Sequence, residues 1–159
     1  MNRNPIAFLA LLLCVSASAC VTEAHSREEL AELGLASIQE NNASRYRDFL
    51  VTIPRLREHC SEAELHRAMI VLPQAHEKLS SAIETCHNLA NWSDAVLVSL
   101  RGGDVYEHAL ECGGQFARMS SVVATYVINF ERYEIHHRRG YLKDGSAHLV
   151  SRQPWCTRQ

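Results

Sequence analysis

The positions Leu65, Met69, Leu72, His76, Leu79, Ile83, Cys86 and Ala90 advance in alternating steps of four and three, a spacing that keeps them on one face of a helix along its whole length. No other feature constrains the fold as tightly, because a helix with so long a stripe must find a second layer against which to bury it. The chain after Asn91 supplies that layer. Its residues turn β-branched and aromatic, and they are punctuated by Gly102-Gly103, Gly113-Gly114 and Asp144-Gly145, as strands separated by turns require.

The remaining local signals fit the same division. Ser61-Glu62-Ala63-Glu64 is a capping box that opens the long helix, and Ser26-Arg27-Glu28-Glu29 is another that opens an earlier one. The earlier helix carries Leu30, Leu33 and Ile38 and is ended by Asn41-Asn42. Tyr46, Phe49, Leu50 and Ile53 fall at i, i+3, i+4 and i+7, so residues 43–53 read as a short helix closed by Pro54. Pro73 lacks the amide hydrogen that a helix ladder uses, which predicts a kink or two helices meeting near Leu72.

Strands are expected over 96–100, 105–112, 121–130, 133–141 and 147–152, with a turn at 101–104 between the first two. Asp144-Gly145 favours a tight hairpin, which makes the last two strands neighbours. The expected fold class is α+β: N-terminal helices, one of them long and Pro-kinked, packed on a C-terminal antiparallel β-meander of about four or five strands.

The first residues belong to a different purpose. One positive charge at Arg3, an almost unbroken apolar run from Ile6 to Val15, and small residues at Ser16-Ala17-Ser18-Ala19 form a signal peptide, too short in its apolar part to span a bilayer. Cleavage after Ala19 leaves residues 20–159 as a single domain beginning at Cys20. That cysteine resembles the acceptor of the bacterial lipoprotein signal, with small Ala19 before it, although Ala17 stands where a larger aliphatic residue is usual. Lipidation at Cys20 would leave Cys60, Cys86, Cys112 and Cys156, an even set able to close two disulfides in an oxidising compartment. Without it, the chain is a secreted protein whose Cys20 is free or paired to another chain.

Four cysteines allow three pairings, of which Cys60 with Cys86 and Cys112 with Cys156 is preferred. The first bond requires the long helix to fold back at its kink. The second would fasten the C-terminal tail to the sheet, where Pro154-Trp155 covers the core.

Charge is uneven. Residues 20–117 carry eight basic and fifteen acidic side chains, and residues 118–159 carry seven basic and three acidic. The overall balance gives no reason to expect nucleic acid, whereas the basic C-terminal part suits an anionic partner or simply complements the acidic part within one fold.

Nine histidines are many for this length, and His59-Cys60 and Cys86-His87 each set two soft ligands side by side. The spacing is wrong for a compact zinc ribbon, and export favours disulfides over thiolates, so neither a metal nor another cofactor is expected. His136-His137 lies in a strand and sends its two rings to opposite faces. His76, on the buried stripe, reads as a satisfied core histidine, the sharper alternative being a pocket histidine beside a cavity. No G-x-S-x-G, H-E-x-x-H or glycine-rich phosphate loop is present, and no catalytic residue is assigned.

These readings converge on a non-catalytic exported binding protein, periplasm-facing and lipid-anchored, of inhibitor or immunity type. Its partner would be an envelope or secreted protein or an anionic ligand, met by Tyr126, Arg132, Tyr133, His136, Arg138, Arg139 and Tyr141. The alternative is a periplasmic small-molecule or metal carrier using His and Cys ligands.

Overall fold

The computed structural model describes residues 24–138, 140–145 and 147–159. The segment expected to be a signal peptide, Cys20 and Arg139 lie outside the described residues. The α+β order holds: α1 (Arg27–Gln39), α2 (Ala43–Arg47), α3 (Ile53–Arg57), α4 (Glu62–Glu77) and α5 (Leu79–Leu89) precede the strands. These are β1 (Val96–Arg101), β2 (Val105–Glu111), β3 (Phe116–Met119), β4 (Val122–Ile128), β5 (Glu131–His137), β6 (Gly140–Lys143), β7 (Ala147–Val150) and β8 (Trp155–Arg158).

Helix starts follow their caps. Ser26 Oγ accepts from Glu29 N at 3.0 Å, and the Glu29 carboxylate returns a bond to His25 N. Glu64 accepts from Ser61 N at 2.9 Å and from Ser61 Oγ. Two helix boundaries differ from expectation. Pro54 opens α3 instead of closing the helix before it, because its fixed φ suits a first turn whose amides have no partner anyway. The long stripe breaks at Lys78, between α4 and α5, while Pro73 is carried inside α4; an exposed proline can be absorbed where its neighbours give way to solvent.

The strands form two four-stranded antiparallel sheets, ordered β1-β4-β5-β8 and β2-β3-β6-β7. The pairings make these the two halves of one meander. β1 and β2, β3 and β4, β5 and β6, and β7 and β8 are successive pieces of four long strands, all interrupted at the same level. At that level Gly102 and Gly103 have φ of +80° and +82°. A Cβ on Gly102 would lie 2.0 Å from Ser121 O, so the sheet bends there because only glycine lets two backbones approach so closely.

The turn at 101–104 is therefore a bend within one strand. The hairpin closes at Cys112-Gly113-Gly114, all three with positive φ. The expected strand 133–141 likewise divides at the bend into β5 and β6. The Asp144-Gly145 hairpin joins β6 to β7 as expected, with both residues at positive φ.

Helices α1 and α5 cover the inner face of the first sheet, where Leu30, Ile38, Leu79, Ile83, Trp92, Tyr126 and Ile135 share one core. A second core under α3 and α4 joins Val51, Leu56 and Leu72 to Phe116 and Leu149 of the second sheet. The disulfides are Cys60–Cys112 and Cys86–Cys156, which corrects the preferred pairing. Helix α5, beyond the break at Lys78, sets Cys86 against β8, and the hairpin at Cys112 comes to rest beside the α3–α4 loop. Both bonds fit an oxidising compartment. Among the described residues, no helix is long and apolar enough to cross a membrane.

Candidate functional site

The outward face of the first sheet carries the densest constellation of polar and aromatic side chains. Alternation along β5 turns Tyr133, Ile135 and His137 toward the helices and Arg132, Glu134 and His136 away from them. Cross-strand pairing brings Thr125 beside Glu134 and Trp155 beside His136. Arg101, at the end of β1, reaches the same carboxylate: its Nη2 lies 3.0 Å from Glu134 Oε1 and 3.1 Å from Oε2. Thr125 Oγ1 adds a long bond of 3.5 Å.

His136 Nε2 sits 3.1 Å from Glu134 Oε2, a close electrostatic contact without the alignment of a hydrogen bond. The His136 ring packs against Trp155 at a centroid distance of 5.0 Å. Glu134 is thus buried under its partners, whereas Trp155 remains 53% exposed. Trp155 lies on the surface instead of covering the core, while Pro154 beside it is buried.

At the top of β5 the chain turns through Asn129 and Phe130, both at positive φ (+50° and +69°), the geometry of a two-residue hairpin turn that Asn-Gly would fill without strain. Phe130 is fully exposed. A bulky residue held in the left-handed region with its whole ring in water gains nothing from the fold. Arg132 follows it on the outward face, and an Arg158–Glu131 ion pair stands beside it.

The seven residues expected to meet a partner are separated by this geometry. Arg132 and His136 lie on the outward face. Tyr126 and Tyr133 belong to the core instead: alternation turns both inward, edge-on to Trp92. The Tyr126 hydroxyl donates to Ala31 O at 3.1 Å, and burial pushes its pKa up. The Tyr133 hydroxyl donates to Glu131 at 2.7 Å. Arg138 stands at the bend, and Tyr141 is on the inner face of the second sheet. Phe130, Trp155, Arg101 and Glu134 were missed. The Asn129-Phe130 pair between two strand patterns was the available signal for the first, while the others depend on cross-strand register.

The His/Cys pairs do not assemble. Cys60 and Cys86 belong to different disulfides, and among the described residues no group of three or more His, Cys, Asp or Glu is placed to hold a metal. His87 Nδ1 contacts Ile38 O at 2.8 Å, and His76 Nε2 lies 3.4 Å from Val51 O, so each ring is served by a backbone carbonyl. His136 and His137 do point to opposite faces.

In comparison with known proteins, the chain matches no family model, no curated protein and no solved structure. Its class rests on fold and surface: a disulfide-bonded α+β domain whose bent meander carries an uncovered aromatic and charged face.

Proposed function

We propose that this is an exported, non-catalytic binding domain, held at a periplasm-facing membrane by lipid on Cys20, whose outward sheet face masks an envelope or secreted protein. The observation that carries the reading is Phe130, wholly exposed in a backbone conformation that costs a bulky residue of the order of 1 kcal/mol or more. Such strain brings no benefit to the fold and suits a side chain kept for a partner's pocket. Arg132 follows it two residues later, and Trp155 and Arg101 lie toward the other end of the same sheet, beside His136 and Val123, so the face carries the residue types that dominate binding energy at protein interfaces. The Arg101–Glu134–His136 cluster holds these groups in fixed positions, which lowers the entropic cost of docking. The signal-like N-terminus, the lipoprotein-like Cys20 and the two disulfides support the compartment.

Replacing Phe130 separates binding from folding. Phe130→Gly relieves the left-handed strain, so the thermal midpoint of the variant should hold or rise, while capture of the envelope partner retained by the unaltered protein should weaken at least tenfold. Trp155→Ala should weaken the same complex. A complex indifferent to both replacements would defeat this assignment of the face.

A further inference from the structure

A cavity of about 160 Å³ lies between α4 and the inner face of the second sheet. Val51, Leu56, Leu72 and Phe116 make its buried apolar floor, and Ala68, one turn before Leu72 on α4, lines it on the same side. Phe116 and Tyr141 meet edge-on at 6.4 Å and give it an aromatic wall. Space between apolar side chains costs stability, because the lining forfeits dispersion contacts. The fold nevertheless holds it open. Helix α4 packs chiefly on α3 and α5, and two fastenings set the height of its start: the Cys60–Cys112 disulfide and the bond from Cys112 N to Glu64 Oε1 at 2.9 Å.

The polar groups of the lining decide what can enter. They are Glu64, Arg118, Tyr141 and Ser151, and each is engaged within the protein. The Glu64 carboxylate accepts from Ser61 N, from Ser61 Oγ and from the Cys112 amide. Glu64 and Arg118 carry opposite charges, so the lining has no net charge with which to attract an ion of either sign. A charged ligand would shed its water and find every polar side chain already served, which is costly. A water molecule needs about two to four polar partners, and the apolar side chains of the floor supply none.

We propose that this cavity binds a small uncharged apolar molecule, a single ring or short chain of about six or seven carbons, the size that suits an apolar cavity of this volume. The ligand lies over Phe116 and against Leu72 and Ala68, where it restores the dispersion contacts that the space forfeits. Neither histidine nor cysteine ligation takes part. The site lies apart from the outward face of the first sheet, so its test does not depend on that assignment.

Toluene, benzoate and benzylamine share one ring and differ in charge. Each would be titrated into the full mature protein while the methyl resonances of Leu56 and Leu72 are followed by NMR. Saturable shifts with toluene, half-complete below about 1 mM, and binding at least tenfold weaker for the two ions are expected. Arg118→Gln, at an exposed position, should leave the toluene affinity unchanged. Ala68→Leu and Ala68→Phe should fill the space in two steps, weakening and then removing the shifts, and Phe130→Gly should not affect them. No saturation with toluene, binding of benzoate or benzylamine as tight as that of toluene, or undiminished toluene shifts in folded Ala68→Phe would overturn the proposal.

Discussion

At the scale of single residues, His137 carries the largest electrostatic consequence. It is wholly buried, its Nδ1 is 3.0 Å from the Tyr46 hydroxyl, and its Nε2 has no hydrogen-bond partner among the described residues. Gly34 of α1 is glycine for this ring: a Cβ there would fall 2.2 Å from His137 Cε1. Burial, assisted by neighbouring His136, lowers the His137 pKa from 6.5 to about 3. The folded state therefore binds the proton more weakly than the unfolded chain. Stability from this group is complete above pH 6.5 and is lost as pH falls toward 3, at up to about 1.4 kcal/mol per pH unit. Urea midpoints for the protein and for His137→Gln, measured from pH 7 to pH 4, should converge as the pH drops. Parallel curves would show that His137 does not drive acid unfolding.

At the scale of elements, α4 holds a proline where a helix interior has most to lose. Pro73 cannot donate to the carbonyl four residues before it, an interior defect worth about 3 kcal/mol in isolation. The helix runs on past it, and the break that divides the stripe falls five residues later, at Lys78. Pro73→Ala restores the donor at an exposed position, so it should raise stability by roughly 1–2 kcal/mol, read as an upward shift of the thermal midpoint. A lowered midpoint would mean that the proline's fixed φ stabilises the helix more than the missing bond weakens it. The bend in the sheet is the opposite case. There Gly102 satisfies both a positive φ and a backbone approach, and no other residue type does both.

At the scale of the whole molecule, the two disulfides divide the labour of holding the layers. Cys86–Cys156 ties α5 to β8 across the first core, and Cys60–Cys112 ties the α3–α4 loop to the β2–β3 hairpin across the second. They close separations of 52 and 70 residues, long enough for chain-entropy arguments to assign each about 4 kcal/mol. If the compartment and anchor are as proposed, the mature protein should begin at Cys20 with added acyl mass and gain about four hydrogens on reduction. Peptide mapping before reduction should link Cys60 to Cys112 and Cys86 to Cys156. A thiol count of four without reduction, or an unlipidated soluble product, would remove the oxidised or the anchored part of the reading respectively.

Periodicity and caps alone determined the α+β order, the helix starts at Ser26 and Ser61, the Asp144-Gly145 hairpin and the opposed faces of His136 and His137. Each depends on residues within a few positions of one another. The bend that splits four strands into two sheets, the disulfide partners, the inward turn of Tyr126 and Tyr133, and the meeting of Arg101, Glu134, His136 and Trp155 were decided only in three dimensions. Those features depend on register between distant strands and on where α4 and α5 carry their cysteines. A one-residue change in register reverses which face a side chain occupies, and nothing local in the chain sets that choice.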